Sequence, residues 1–584
     1  MRKHLLLLVT LLVASTAQAQ DSSIDQLFAD YSSYQESRYP SVDHANEAMR
    51  KGGFADISPA AYAQQAEKLQ QFLQQVEQFE QQKLTSQQQV NLAMLRFFIE
   101  SEIKAIEQQS YLFPMYGDTG FYFELLRLGE TTELKSRADV IFYLEKLEAI
   151  AGYLAQWQAN LATAVAEKKV LPKIVLVDFE RPLQALLAKH PEQNPLYAPL
   201  RKVGQLLDEE TSQLLQQRGR QAIAEGVEPA VKSFIQFLQS DYLPHARESI
   251  AITDMPGGAA YYQEQIRYYT TLELSADAIH QVGLAEVARI RGEMDAVIAA
   301  SGFKGSFSEF IEFLRTDPQF YATSKEALLK EAAYIAKKAD AMLPRFFGHL
   351  PRQPYGVEPV PDSIAPRYTT GRYVGAPLDS ERPGLYWVNT YALDKRPLYV
   401  LEALTLHEAV PGHHLQNALT QEQDSLPDFR RHSYLSAYGE GWALYGEKLG
   451  IEAGFYQDHY SQFGRLSYEM WRAIRLVVDT GMHAKGWSRA KAIAFMESNT
   501  ALSKHNVRTE IDRYIAWPGQ ALSYKMGEIK IVELRRLAEA QLGKRFDIRQ
   551  FHDELLSYGP VTLTILEQQM KQWIERQLAS APAP

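Results

Sequence analysis

Cysteine is absent from this 584-residue chain. Its absence excludes disulfides, iron–sulfur clusters, catalytic thiols and every zinc site that uses thiolate ligands. A transition metal bound by this protein must therefore be held by histidine, aspartate and glutamate.

An excess of positive charge is also missing. The chain has 61 Lys and Arg against 71 Asp and Glu, a formal net charge of −10. A protein that binds nucleic acid usually carries a basic surface that follows the phosphates, so we predict no nucleic-acid partner. Beyond the N-terminus no apolar run approaches the roughly 20 residues needed to cross a bilayer, so we expect no stable membrane insertion.

The first 19 residues have the pattern of a secretory signal peptide. Arg2 and Lys3 precede an apolar run from Leu5 to about Ala14, and Ala17-Gln18-Ala19 supplies small residues for cleavage after Ala19. An uncleaved anchor is the alternative, but the run is too short to span a membrane. We predict an exported protein, periplasmic or secreted. Without a cysteine at the cleavage point, bacterial lipid anchoring is excluded.

Most of the mature chain has the three- and four-residue apolar spacing of amphipathic helices, which predicts a mainly α fold. The glutamine-rich stretch from Gln64 to Gln89 fits this pattern, because apolar residues recur on one face of it and the glutamines form a solvated face. The periodic segments are 58–81, 86–109, 134–167, 193–223, 275–300, 323–342, 426–450, 456–485 and 519–542.

Residues 351–391 differ from the rest of the chain. This region is rich in proline and ends in the extended run 385–390, which favours a small β-sheet. We place a boundary here, between an N-terminal helical region (20–355) and a C-terminal region (356–584). We expect both regions to form one cleft-forming unit.

Three histidines and a glutamate lie within eight residues, as His407-Glu408-Ala-Val-Pro-Gly-His413-His414. In an ordinary HExxH zinc helix the two histidines are four residues apart and share one metal, with the glutamate as general base. Here the fourth position is Pro411. If Pro411 and Gly412 bulge out of the helix, His413 takes the second ligand position, and we favour it over His414. The alternative is a helix that ends at Pro411, followed by histidines that interact with its dipole.

A third ligand without cysteine is expected to be a carboxylate. Glu440 lies between two glycines on the next predicted helix, and we favour it over Glu447 or a purely solvent-facing role. The set His407, His413 and Glu440 would leave a fourth position open, as catalytic zinc requires.

Donors that could stabilise an oxyanion lie further along the chain. They are Arg513, Tyr514 and Tyr524, although each could simply pack in the core with its polar group satisfied. Arg508 and Lys525 are candidates for binding a free peptide carboxylate.

Several segments together resemble the bacterial family called domain of unknown function 885. The octapeptide from His407 to His414 is specific and the other segments are supportive; they are Gly257–Val287, Pro383–Thr390, Tyr438–Glu447 and Arg513–Gly527. That family is similar in turn to the zinc-peptidase group of angiotensin-converting enzyme and the neurolysin-type oligopeptidases. The resemblance implies a two-lobed, mostly helical architecture, with a small sheet beside the active-site helix.

The resemblance also implies the chemistry. It places one zinc ion at His407, His413 and Glu440, with Glu408 as general base, and it ranks Tyr514 above Tyr524 as the group that polarises the carbonyl. It makes 385–390 an edge strand that pairs with substrate through Tyr386, Trp387, Val388 and Asn389. One departure matters: Leu444 stands where better-known members carry an aspartate that supports the first zinc histidine, so that support must come from elsewhere or be missing.

These observations predict an exported zinc-dependent metallopeptidase that hydrolyses oligopeptides. Two alternatives share the same residues. One is an inactive metal-binding or peptide-binding protein of the same fold, and the other is a metal-dependent amidase that acts on non-peptide substrates.

Overall fold

The structure is a computed structural model that describes residues 24–38, 52–113, 120–362, 364–378 and 380–579. The predicted signal peptide, 1–19, lies outside the described residues. The described chain is mainly helical with one three-stranded sheet, as predicted. It divides into two compact units, residues 1–259 with 515–517, and residues 260–514 with 518–584. The predicted boundary at 355/356 lies within the second unit.

The first unit is helical, and its helices begin where the sequence provides caps. Ser58 caps α2, Thr85 and Gln88 form a capping box at the start of α3, and Ser136 caps α5. Its helices are α1 (24–38), α2 (Pro59–Glu80), α3 (Ser86–Glu107), α4 (Phe121–Thr131), α5 (Arg137–Ala166), α6 (Glu180–Gln184), α7 (Glu209–Gln221) and α8 (Glu228–Phe237).

The glutamine-rich segment forms α2 and the start of α3, as predicted. Leu69, Phe72 and Val76 are buried on one face of α2, and most of the glutamines between them are exposed. The helix predicted over 193–223 is shorter than expected. Pro195 and Pro199 begin short 3₁₀ turns there instead, and the α-helix starts only at Glu209.

The second unit contains the sheet and the remaining helices. Its helices are α9 (Gly258–Thr270), α10 (Ala276–Ser301), α11 (Phe307–Thr316), α12 (Lys325–Phe346), α13 (Leu401–Glu408), α14 (His413–Gln421), α15 (Asp428–Arg431), α16 (Ser436–Ala453), α17 (His459–Ala484), α18 (Arg489–Glu497), α19 (Lys504–Ala516), α20 (Ser523–Leu542), α21 (Ile548–Ser557) and α22 (Leu563–Ala579). Helix α17 lies at the centre of this unit, because nearly every residue from Ser461 to His483 is buried.

Helices α16 and α20 approach at two glycines. A Cβ atom added at Gly441 would lie 2.5 Å from the Cα of Gly527, and one added at Gly527 would lie 2.0 Å from the carbonyl oxygen of Ala437. The backbones therefore touch where α16 carries the candidate ligand Glu440. Among the described residues, no helix combines the length and the apolar character needed to cross a membrane.

The sheet has the order β1-β3-β2, with strands β1 (Tyr355–Pro359), β2 (Gly371–Val374) and β3 (Gly384–Val388). Strand β1 is parallel to β3 and β2 is antiparallel to it. The prediction of an edge strand at 385–390 is wrong, because β3 is the central strand and both its edges are paired.

The four residues predicted to bind substrate there make structural contacts within the sheet and its loops. Tyr386 and Val388 are buried, and Trp387 takes part in the register with both neighbouring strands. The side-chain amide of Asn389 donates hydrogen bonds to the carbonyl oxygens of residues 365, 368 and 369. These contacts fix the loop that leads into β2.

Candidate metal centre

The HExxPGHH segment folds as two helices joined by a four-residue turn. Helix α13 ends at Glu408, the Val410–Pro411 peptide bond is cis, and α14 begins at His413. Gly412 is required here because a Cβ atom would lie 1.9 Å from the carbonyl oxygen of His407. Residues 409–412 thus leave the helical path, as the bulge hypothesis predicts.

Helix α16 holds this turn in place. The indole N–H of the fully buried Trp442 donates a 2.7 Å hydrogen bond to the carbonyl oxygen of Pro411. A Cβ atom at Gly446 would be 3.4 Å from the Pro411 ring, so the helix backbone lies close to the turn. The helix that carries Glu440 therefore also fixes the position of His413.

Three candidate ligands converge. The Nε2 atoms of His407 and His413 each lie 3.4 Å from the same oxygen, Oε2 of Glu440. One ligand atom from each residue lies within 4.8 Å of the other two. The structure thus brings together the three residues predicted to bind zinc.

The arrangement fits a small cation. Oε2 of Glu440 is buried and has no hydrogen-bond partner among the described residues, which is costly for a carboxylate unless a cation compensates it. Two ligand atoms about 2.0–2.1 Å from one zinc ion at the tetrahedral angle are about 3.4 Å apart. The side chains of His413 and Glu440 keep 11% and 14% exposure, against 3% for His407. Solvent can therefore reach the three candidate ligands from the side of His413 and Glu440.

Glu447 supports the first histidine. Its Oε1 lies 2.8 Å from Nδ1 of His407, and both side chains are almost fully buried. A carboxylate on the second imidazole nitrogen fixes the tautomer and leaves Nε2 free to bind a metal. The sequence indicates Glu447 only as the less favoured alternative to Glu440 as a ligand. Its spacing of seven residues from Glu440, two turns along one helix face, was the available signal.

The carboxylates around His407 create a strongly negative field. Burial alone would lower the pKa of His407, but Glu440 and Glu447 outweigh it and raise that pKa to about 9. Burial opposes ionisation of Glu440, yet His413 and His407 hold its pKa well below the usual value. A field that retains a proton on a buried imidazole also favours a bound cation.

Glu408 lies next to the ligands and is fixed by the sheet. The backbone N–H of Tyr373, on β2, donates a 2.8 Å hydrogen bond to its Oε2. The side chain is 8% exposed. One carboxylate oxygen is therefore anchored, which sets the direction of the other.

His414 faces away from the ligand group. Its Nε2 lies 3.1 Å from the carbonyl oxygen of Gln353, and its Nδ1 lies 3.3 Å from the hydroxyl of Tyr373. Burial lowers its pKa to about 4, so the ring is neutral at ordinary pH. Both ring nitrogens are used, and His414 connects α14 to the sheet.

Two of the predicted oxyanion donors, Tyr514 and Arg513, lie in a cluster around Glu510. The hydroxyl of Tyr514 donates to Glu510 at 2.6 Å and accepts from Trp471 and Arg475 at 3.0 and 2.7 Å. Arg513 donates to the same glutamate at 3.1 Å. The single proton of the Tyr514 hydroxyl is thus committed to Glu510, and no candidate metal ligand is among its partners.

The ring of Tyr524 lies 4.2 Å from the guanidinium carbon of Arg475, and its hydroxyl accepts a long, 3.5 Å hydrogen bond from Gln520.

Lys525 is buried and makes ion pairs of 2.8–3.0 Å with Glu528, Glu469 and Glu286. Its charge is therefore compensated within the protein. Arg508 is exposed and donates to the carbonyl oxygen of Lys504. Among the described residues, the partners of Lys525 and Arg508 include none of the candidate metal ligands.

Solved structures and one family model are similar to this chain. A protein from Colwellia psychrerythraea, described as "the putative lipoprotein", is 28% identical, with a TM-score of 0.87 over 95% of this chain and 99% of that one. A "putative lipoprotein of unknown function" from Shewanella oneidensis is 18% identical, with a TM-score of 0.73 over 94% of this chain and 99% of the other, and it shares the fold. None of the curated proteins matches. The model described as "Bacterial protein of unknown function (DUF885)" matches residues 43–570, and the chain therefore belongs to the DUF885 family.

Proposed function

We propose that this protein is an exported zinc-dependent peptidase that acts on oligopeptides. The observation that supports the proposal best is the convergence of two imidazole Nε2 atoms, each at 3.4 Å, on one buried carboxylate oxygen that accepts no hydrogen bond from the described residues. His407, His413 and Glu440 would hold the ion.

Zinc bound by these residues would supply a Lewis acid, which polarises a carbonyl oxygen and lowers the pKa of water toward about 7. The protein supplies the proton transfers. Because Oε2 of Glu408 accepts from Tyr373, its Oε1 remains to take a proton from the attacking water and return it to the leaving amine. Glu447 keeps His407 in the tautomer with Nε2 unprotonated.

Pairing with the substrate backbone is assigned to β2 instead of β3. In an antiparallel pair the backbone N–H and C=O groups of one residue face the partner strand, and those of the next residue face the opposite side. Thr370 accepts from Asn389 on the side of β3, whereas the N–H of Tyr373 donates to Glu408 on the other side. The outer edge of β2 therefore runs beside the proposed base, where an extended peptide would present its scissile bond.

Export is inferred from the predicted signal sequence and from two relatives described as lipoproteins. This chain contains no cysteine to which a lipid could be attached. The proposal is therefore a periplasmic or secreted enzyme that is not anchored through a cysteine-linked lipid.

The decisive experiment compares wild type with Glu408→Gln on a library of quenched fluorescent peptides, after loading with one zinc per chain. The variant keeps every predicted zinc ligand, so we expect unchanged zinc content and peptide affinity, with turnover reduced by at least about 100-fold, the range of a lost general base. Glu358→Gln, at an exposed position on β1, is the matched control.

Equal turnover in wild type and Glu408→Gln would contradict the proposed mechanism. A zinc-loaded wild type that binds peptides and cleaves none would instead identify a binding protein of the same fold. Cleavage of cell-wall amides alone would keep the chemistry and replace the substrate class.

A further inference from the structure

Tyr434, a tyrosine that the sequence did not single out, lies near the candidate metal centre and is more exposed than Tyr514. Tyr434 lies in the segment between α15 and α16, six residues before Glu440, and 49% of its side chain is exposed. The predicted donor, Tyr514, is 1% exposed. Tyr434 is thus a tyrosine beside the ligand helix that solvent, and therefore substrate, can contact.

The backbone of α16 holds the Tyr434 ring. A Cβ atom added at Gly439 would lie 2.4 Å from Cε2 of Tyr434 and 2.7 Å from its hydroxyl oxygen. The ring therefore occupies the space that a side chain at position 439 would fill, and its hydroxyl end lies next to the residue before Glu440. This explains why glycine precedes the ligand glutamate.

The hydroxyl of Tyr434 lies within electrostatic reach of two carboxylates, Glu440 and, more weakly, Glu408. Both carboxylates belong to the proposed reaction centre. A phenol hydroxyl that reaches them can donate a hydrogen bond to a substrate bound there.

Neighbouring tyrosines use their hydroxyls for structural contacts. Tyr438 donates to the carbonyl oxygen of Leu555, Tyr445 pairs with His552, and Tyr456 donates to the carbonyl oxygen of Glu447. The proton of Tyr514 goes to Glu510. Tyr434, which is half exposed and lies over Gly439, is therefore better placed to meet a substrate than these four tyrosines.

We propose that Tyr434 is a catalytic residue whose hydroxyl donates a hydrogen bond to the scissile carbonyl oxygen and stabilises the negative charge that develops on it. The inference rests on the proposed peptidase function. It assigns to Tyr514 the structural role of fixing Arg475 and Glu510.

The test uses the zinc-loaded full chain with Tyr434→Phe, Tyr514→Phe and the control Tyr391→Phe. Tyr391 is 48% exposed, so the control removes a hydroxyl of equal exposure. We expect Tyr434→Phe to lower kcat by about 100-fold or more, as loss of one oxyanion donor does, with KM within about twofold. Zinc content and melting temperature should stay at the wild-type values. Gly439→Ala, which displaces the ring, should reproduce the loss.

A binding measurement separates catalysis from structure. A phosphinic peptide carries a negative oxygen where the oxyanion would form, so its Kd should rise about 100-fold in Tyr434→Phe. The affinity of the substrate peptide, measured in the Glu408→Gln background, should not change. Tyr514→Phe should lower the melting temperature and leave the Kd of the phosphinic peptide unchanged.

Full activity in Tyr434→Phe, or a loss explained by weaker zinc binding, would overturn the assignment. If wild type cleaves peptides and Glu408→Gln does not, such a result for Tyr434→Phe contradicts only the role of Tyr434 and leaves the proposed function standing. If wild type cleaves no peptide, the proposed function fails first.

Discussion

The interaction between Glu447 and His407 is the strongest residue-scale feature that the sequence did not reveal. The position expected to support the first histidine holds Leu444, and the support comes from one turn further along the same helix. Tyr456 donates to the backbone carbonyl of Glu447, and Arg472 lies 3.8 Å from its carboxylate. Tyr456 therefore holds the backbone of Glu447, and Arg472 attracts its carboxylate.

Substituting Glu447 tests whether it tunes the metal site. Glu447→Gln keeps an acceptor for the His407 Nδ1–H but removes the charge, so we expect zinc affinity to fall by about 10- to 100-fold with the fold intact. Competition with a chelating dye measures it. Glu452→Gln is the control on the same helix, because it alters only a half-exposed ion pair with Arg535. Equal zinc affinity in both variants would show that Glu447 has no such role.

At the scale of elements, the site depends on how closely α16 approaches α13, α14 and α20. Gly446 faces the turn at Pro411, and Gly441 faces Gly527 of α20. Ser436 and Ser523 form a 2.7 Å hydrogen bond at the same contact. Glycines thus set the position of Glu440 in space, because a larger residue at these contacts would move the helix.

Gly527→Ala tests this packing. The new methyl would lie 2.0 Å from the carbonyl oxygen of Ala437, a backbone atom that cannot rotate away. We expect the free energy of unfolding to fall by about 1–3 kcal/mol or more, as in overpacked cores, with weaker zinc binding. Gly292→Ala is the matched control, since nothing lies within 4 Å of its new methyl on α10. The free energy of unfolding of Gly292→Ala should rise by roughly 0.5–1 kcal/mol, because alanine favours the helix more than glycine does. Chemical denaturation gives both values, and a neutral Gly527→Ala would refute the packing argument.

Local patterns predicted most of the long helices and the three residues that converge as candidate metal ligands, whereas long-range pairing was not predictable. Periodicity identified α2, α5, α10 and α17 nearly to their ends, because each buries one apolar face or is buried throughout. The Pro-Gly pair predicted the bulge that brings His413 to His407. The extended run 385–390 revealed a strand, but its central place depends on β1 and β2, which pair with it on either side. The sequence could not single out Tyr434, because its placement depends on its ring lying over Gly439.

At the scale of the whole molecule, the second unit buries an acid that makes no ion pair within the described part of the chain. Asp479 on α17 is fully buried, accepts a 2.6 Å hydrogen bond from the hydroxyl of Tyr262, and accepts from the backbone N–H of Gly519. It thereby connects three distant segments of the sequence. Burial raises its pKa from 3.8 to about 7, although these hydrogen bonds and the charge of Arg513 oppose the shift.

This raised pKa predicts how stability depends on pH. The folded state binds the Asp479 proton more tightly than the unfolded state does, so the stabilisation is complete below about pH 4 and is lost as pH rises through about 7. Three pKa units correspond to at most about 4 kcal/mol. Asp479→Asn keeps a neutral acceptor for Tyr262 and Gly519, so its free energy of unfolding, relative to wild type, should rise between pH 4 and 8.

Chemical denaturation at several pH values measures this difference. Because the chain has two compact units, the transition of the second unit must be followed separately, by a probe such as fluorescence from Trp471, eight residues before Asp479 on α17. Asp512→Asn, a partly exposed acid paired with Arg489, should run parallel to wild type at these pH values. If the free energy of unfolding of Asp479→Asn also changes with pH as that of wild type does, the prediction is wrong. The buried carboxyl is then ionised in the folded protein throughout this range, and its charge is compensated within the second unit.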